Sequence, residues 1–397
     1  MGLLDGILSI DEISLENQRV LMRLDLDVDD SARDRARLRA ARATIEHATR
    51  AGARVVLAAH RGAPDGRVNE ALSLEPVAAS LSELLGTDIY LPDDCVGDAA
   101  RKVVQDLRPG QVCLLENLDF YAEERENDEA FARRLASYGD VFVNDSLRDS
   151  RRPRASTEQL ARVMRKRCMG VRLKAELAAL ARIIETERPL ALVVGGENAG
   201  AAMSLVETLL DRARIVLTAG TLGNTLLAAG GSRLQKSAVD SNLLARGRAL
   251  FTLARDRGVE LVTPADLVVA ESPQAQSGVL ANPNSVGEGL TALDVGPKTL
   301  ELFASRLARA SGVVWAGALG ASKNPAFREG TLGFAALVSQ ASAFSVTLGD
   351  DTAEAIGHAD EDVLCKFGLV STAGRASLEL IEGRKLPGIE ALRGGAT

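Results

Sequence analysis

Residues 20–60 read VLMRLDLDVDDSARDRARLRAARATIEHATRAGARVVLAAH. A short apolar run, VLMRL (20–24), passes through an acidic loop into the helical stretch RARLRAARATIEHATRAG (35–52) and then into a second apolar run, RVVLAA (54–59). Continuous rather than alternating apolar runs mark strands buried on both faces, and a helix between two of them marks a βαβ unit of a parallel sheet. The pattern recurs in VCLLE (112–116), VFVND (141–145), LALVVGG (190–196) and RIVLTAG (214–220). It continues in VELVTP (259–264), GVVWAG (312–317) and SVTLGDD (345–351). So many units fit two doubly wound sheets better than one. Near the middle, VRLKAELAALARIIETE (171–187) reads as a strong helix able to join two lobes, ended by Arg188-Pro189 because proline disfavours helix in the residue before it.

A length of 397 residues agrees with two or three domains. Apolar residues make up 46% but aromatics only 3%, so the cores must be built from Leu, Val, Ile and Ala. The net charge of −7 argues against a broad nucleic-acid surface, and only eight of the 47 basic residues are lysines. No apolar run approaches the roughly 20 residues of a membrane helix. The start, MGLLDGILSI, has no basic leader and carries Asp5, and Gly6 stands where a myristoylation motif wants Ser or Thr. Cys95, Cys113, Cys168 and Cys365 are scattered, as buried thiols in a reducing compartment would be. A cytoplasmic protein is expected.

Ligands of open α/β sheets lie beyond the carboxyl ends of the strands. Those ends carry Asp25, Asp27, His60, Glu116-Asn117 and Asn144-Asp145 in the first half, and Gly195-Gly196, Ala219-Gly220-Thr221 and Gly349 to Thr352 in the second. No GxxxxGK[ST] string occurs and no strand runs into GxGxxG, which argues against P-loop hydrolases and dinucleotide enzymes. The run Arg148-Asp149-Ser150-Arg151-Arg152-Pro153-Arg154 is either a solvated charge run or a phosphate or carboxylate site. His60 is either a hydrogen-bonded structural residue or an anion contact. Asp350 or Asp351 either caps a helix or meets magnesium or phosphate at its N-terminus.

These residues resemble the phosphoglycerate kinase family over essentially the whole chain. The resemblance is carried by RLDLDVD (23–29), ATIEHA (43–48), AAHRGAP (58–64), LSLEPVA (72–78), PDDCVGD (92–98) and LLENLDFY (114–121). It continues in VNDS (143–146), RAST (154–157), LDVGPKT (293–299), VVWAG (313–317), GDDTA (349–353) and STAGRASLELIEGRKLPGIEAL (371–392). The family implies two Rossmann-like parallel-sheet lobes. Residues 1–170 would bind the triose phosphate, 171–187 would be a hinge helix, 188–375 would bind nucleotide, and the tail 376–397 would return to the first lobe. The implied reaction is phosphoryl transfer between ATP and 3-phosphoglycerate. Mg²⁺ would accompany ATP or ADP if the protein is active, with no cofactor otherwise, and neither nucleic acid nor membrane as partner. The resemblance also implies a monomer.

By the same resemblance, Arg37 falls on the family's catalytic arginine. Asp25, Asp27, His60 and Arg152 fall on substrate-binding positions, with Arg61 near by. Gly349, Asp350, Asp351, Thr352 and Lys298 fall on nucleotide positions, Asp351 being the magnesium contact through the nucleotide. Other positions depart from the family. Ala63 and Asp119 replace arginines, and Arg151 and Arg154 replace histidines. Asn198 and Ala202 replace lysines, Ala316 an asparagine, Ala318 a proline and Lys323 a glutamate. Glycine-rich turns are interrupted at Thr221, Leu348 and Arg375, where the arginine either restores positive charge or blocks phosphates. Because one preorganised donor to transition-state charge is worth about 10²–10³ in rate, impaired transfer is expected, or a non-catalytic protein that binds an anionic metabolite or a protein partner.

Overall fold

The computed structural model describes residues 2–28, 32–185 and 189–396. Asp29 of the first motif and Glu187 and Arg188 at the expected helix end lie outside them. The chain divides into two units, Met1–Ala181 with Arg375–Thr397, and Arg182–Gly374. The division falls inside the helix Val171–Glu185, and Arg375 goes with the first unit.

In the first unit, β1 (Arg19–Arg23), β2 (Arg54–Ala58), β3 (Ile89–Tyr90), β4 (Val112–Leu114), β5 (Val141–Asn144) and β6 (Arg167–Met169) form a sheet in the order β3-β4-β2-β1-β5-β6. Every neighbouring pair is parallel. Chain order reverses at β1, so the loops after β1 and β5 diverge to opposite faces and leave a crevice at their carboxyl ends. Val20, Met22, Val55, Leu57, Val141 and Val143 supply the strand side of one core, with Leu38, Ala41 and Ile45 of the helix Ala32–Arg50 packed against them.

The start of the helix Val171–Glu185 is tied to this sheet by a buried carboxyl. Thr44 Oγ1 donates to Asp145 Oδ2 (2.5 Å) and accepts from the backbone N–H of Val171 (3.1 Å), while Asp145 Oδ1 accepts from that of Leu173 (2.9 Å). Gly170 makes this possible, since a Cβ there would lie 2.2 Å from Asp145 Oδ1. Burial pushes the Asp145 carboxyl up to about 7.

The second unit repeats the plan with β7 (Leu190–Val194), β8 (Ala213–Thr218), β9 (Glu260–Val262), β13 (Gly312–Ala316), β14 (Phe344–Leu348) and β15 (Leu369–Val370), in the order β15-β14-β13-β7-β8-β9. All of these pairs are parallel. A small antiparallel sheet of β10 (Leu267–Ala270), β11 (Val279–Ala281) and β12 (Thr291–Val295) is inserted between β9 and β13. The nine apolar runs are all strands. The remaining strands are short except for the five-residue β12, and β11 carries exposed Val279 and Leu280, so neither length nor burial marks it.

At the reversal between β7 and β13 the two following loops touch backbone to backbone. A Cβ on Gly195 would stand 2.1 Å from the carbonyl oxygen of Ala318, and Gly317, at φ +89°, would place one 2.4 Å from Gly195. Only glycine permits both the approach and the dihedral. Under this point the lone tryptophan, Trp315, meets Phe334 edge-on (centroids 4.9 Å, 89°), and Phe334 meets Phe303 in the same way (5.8 Å, 82°). Among the described residues no helix is long and apolar enough to cross a membrane.

Because Trp315 is the only tryptophan, its emission reports the second unit alone. Phe334→Ala removes the ring between Trp315 and Phe303, and is expected to lower the stability read by that emission in urea by about 3–5 kcal/mol. A loss below about 1 kcal/mol would show that the aromatic stack does not hold this core.

Candidate functional site

The crevice of the first unit is lined by charge, and the charge is paired. Arg23, the last residue of β1, is fully buried. Its Nη1 lies 2.9 Å from Asp149 Oδ2 and also donates to the Leu24 carbonyl, while its Nε donates to Ser156 Oγ (2.9 Å). Its Nη2 is 2.9 Å from His60 Nδ1. A guanidinium has no lone pair, so His60 accepts at Nδ1 and keeps its proton on Nε2. Asp149 Oδ1 stands 3.6 Å from the same ring nitrogen. Arg23 was passed over in the sequence as one polar residue in an apolar run, and Asp149 as the minority sign in a basic one.

Asp25 is buried, with Arg148 Nε at 3.3 Å and Arg37 Nε at 3.7 Å from its Oδ2. Arg37 Nη1 also donates to the carbonyl of Asp27 (2.6 Å), whose Oδ1 accepts from the Gly62 N–H (2.8 Å). The structure therefore gathers Asp25, Asp27, Arg37 and His60 at the strand ends. Arg61 is engaged elsewhere: Nε and Nη1 donate to the carbonyls of Val28, Ala71 and Ser73. Ala63 and Arg152 are exposed.

The basic run resolves into ion pairs, Arg148 with Asp25, Arg151 with Glu379 (3.3 Å) and Arg154 with Asp119. Beneath them Glu124 is enclosed, accepting from Ser156 Oγ (2.6 Å) and the Ser156 N–H (2.9 Å). Burial is the main cause that lifts its carboxyl to about 7.

In the second unit a cavity of about 480 Å³ opens at the β7–β13 reversal, with Gly196, Gly220, Pro264, Leu267, Leu319 and Gly320 among its walls. Asp294 reaches it from β12, both oxygens accepting N–H groups, from Val295 (2.9 Å) and Gly330 (2.7 Å), and burial lifts its carboxyl to about 7. A second hollow of about 380 Å³ shares Gly196, Glu197 and Gly320 with the first and adds Lys323, Arg328, Asp351 and His358.

Thr352 does not present its hydroxyl to this space. It is buried, donating to the Leu348 carbonyl (2.7 Å) and accepting from the Gly317 N–H (2.6 Å), so it latches the β14 and β13 loops together. Gly349, at φ +93°, is the N-cap of the helix Asp350–Ile356, which leaves Asp350 as its first residue and Asp351 exposed. Asn198 caps the helix Ala199–Leu209 by accepting from the Ala201 N–H (2.9 Å), and Ala202 is buried on that helix. Ala316 is half-buried, and Lys323 stands 3.9 Å from Glu197 with both side chains exposed. Lys298 is exposed and lines neither hollow, and Arg375 is exposed at the start of the helix Arg375–Ile381. Among the described residues no three His, Cys, Asp or Glu side chains gather into a metal site, so an ion at Asp351 would need oxygens from a ligand.

Two parallel sheets, each with polar loops and a crevice at its reversal, define a two-unit α/β protein. The family model for phosphoglycerate kinase matches residues 10–384. The phosphoglycerate kinase of Anaeromyxobacter sp. (strain K) is 40% identical over 391 residues, covering 96% of this chain and 98% of that protein. That of Moorella thermoacetica is 38% identical over 390 residues, covering 97% and 98%. Among solved structures, phosphoglycerate kinase from Coxiella burnetii superposes with a TM-score of 0.83 at 32% identity, over 97% of this chain and 98% of that one. The enzyme from Pyrococcus horikoshii gives 0.81 at 26% identity, over 98% and 99%. The chain belongs to the phosphoglycerate kinase family.

Glu124 gives the first unit a pH signature. Its folded pKa, near 7, lies above that of an unfolded glutamate, so the folded state holds more protons between about pH 4.5 and 7 and this carboxyl withdraws stability as pH rises through that window. Relative to Glu124→Gln, the wild type is expected to lose stability from pH 5 to 8 in paired urea titrations followed by circular dichroism. A stability gap that stays constant with pH would contradict the assignment.

Proposed function

We propose that this protein catalyses the family's phosphoryl transfer, between a nucleoside triphosphate and the carboxylate of a small acid, at a rate far below that of an intact kinase. What carries this reading is the helix after β7: its N-cap position holds Asn198, engaged with backbone, and its second turn holds buried Ala202, so neither position offers a cation. Glu197 beside them adds a negative charge at the neck shared by the two hollows.

Other features support retained binding. The larger cavity has the apolar walls and glycine edges that suit a flat heterocycle and its sugar. Asp351, exposed at the start of its helix beside the second hollow, could take one position on a Mg²⁺ ion held mainly by nucleotide phosphates. Bound there, the ion would supply positive charge to the phosphate oxygens. In the first unit Arg37, held between Asp25 and the Asp27 carbonyl, orients a guanidinium at the crevice. The helix Val171–Glu185 carries the chain from one unit to the other and is the segment proposed as hinge.

A non-catalytic reading, in which the crevices bind a metabolite without transfer, is favoured by Glu197 and by the paired arginines of the first unit. A coupled assay at high protein concentration separates the two. Slow turnover is expected in the wild type, rising at least tenfold in Ala202→Lys, which returns a cation to the helix after β7. Wild-type turnover in the ordinary kinase range of about 1–100 s⁻¹ would refute impairment. Ligand binding with no turnover in either protein would establish the non-catalytic reading.

A further inference from the structure

The pairing of Arg154 with Asp119 bears on which acid the first unit accepts. Asp119 sits in the turn Leu118–Phe120 beyond β4, its backbone N–H held by Asn117 Oδ1 (3.0 Å) and its carbonyl accepting from the Gly66 N–H (3.0 Å). Its side chain is 3% exposed and that of Arg154 is 17% exposed, so the carboxylate is enclosed and little of the arginine faces outward. Arg154 also feels the charges of Glu124 and Asp149. Asp149 in turn neutralises Arg23.

The buried cluster thus sets two guanidiniums, Arg23 and Arg154, against three carboxyls, Asp119, Glu124 and Asp149. A phosphate dianion needs several convergent charged donors to offset its desolvation. Here the nearby Arg61 is turned to three backbone carbonyls, and Arg152, which is exposed, adds a single charge at the surface. A carboxylate already occupies Arg154, and a dianion arriving there would meet a guanidinium whose charge Asp119 has offset.

Resting on the family reaction proposed above, we propose that the first unit selects a short hydroxy acid whose far end is an uncharged hydroxyl rather than a phosphate, with Asp119 as the specificity-determining residue. An alcohol suits this site: it accepts from what Arg154 leaves exposed and brings no charge to a guanidinium that Asp119 already neutralises. Asp119 does by charge what an arginine at the same place could not, rejecting the phosphorylated acid while the carboxylate end of either acid is treated alike.

Calorimetric titration of the intact protein with glycerate and, separately, with 3-phosphoglycerate tests this. The wild type is expected to bind glycerate at least tenfold more tightly than 3-phosphoglycerate. Asp119→Asn, which releases Arg154, is expected to reverse the order by tightening 3-phosphoglycerate at least tenfold. Tighter binding of 3-phosphoglycerate by the wild type overturns the inference while leaving the proposed reaction standing, and this arm needs no variant to fold. An unchanged preference in a folded Asp119→Asn, checked by its circular dichroism melt, removes Asp119 from the role. Binding of neither acid overturns the reading of the crevice as an acceptor site, and the inference with it.

Discussion

A fully buried guanidinium is stable only if the fold brings partners to it, and Arg23 imposes that demand on the whole carboxyl end of the first sheet. Asp149 must come from the loop after β5, Ser156 from the segment following it, and His60 from the loop after β2. Ser156, so placed, delivers its hydroxyl and N–H to Glu124, and the same loop carries Arg154 to Asp119. Removing one member would strand a charge in the interior, which costs far more than a surface pair contributes. Arg23 and Asp149, at the centre of this network, are both buried.

The second unit solves a different problem at the equivalent place. Its loops after β7 and β13 approach so closely that glycine is required, and Thr352 holds a third loop to them through its hydroxyl. The product is an apolar cavity with backbone edges. On the proposed reading, phosphate groups would meet Glu197 and a neutral helix start, with Lys323 and Arg328 the cations of that hollow. The proposed impairment rests on this contrast: formed cavity walls, but few cations at the helix after β7 and arginines of the first unit that are mostly paired. Decay without selection would damage cores and sites alike, yet Trp315, Phe334 and Phe303 form a well-packed stack and β13 pairs in unbroken register with β14 and β7.

The nine principal strands were readable because parallel strands buried on both faces leave unbroken apolar runs, and their loops were readable because glycine and acidic residues punctuate them. The inserted antiparallel sheet was not, since β11 is exposed and β12 is only half-buried over its first two residues, so neither leaves an unbroken apolar run. At the site, the losses at Asn198, Ala202 and Asp119 stood in the sequence, but not what the new residues do. The partner of Asp119 lies 35 residues away and that of Arg151 lies 228 away, separations at which no local pattern signals contact. Thr352 kept its family position while its hydroxyl serves the fold. Arg154, read with its neighbours as a basic run, proves to be one half of an ion pair.

On the proposed reading, the cavity of the second unit recognises the body of a nucleotide and little of its phosphates. Comparing the affinities of adenosine and MgADP for the full-length protein, by calorimetry at one ionic strength, addresses it directly. The two are expected to differ by less than about tenfold, or about 1.4 kcal/mol. MgADP binding a hundredfold or more tighter than adenosine would show that the phosphates find strong positive partners here, and would contradict it.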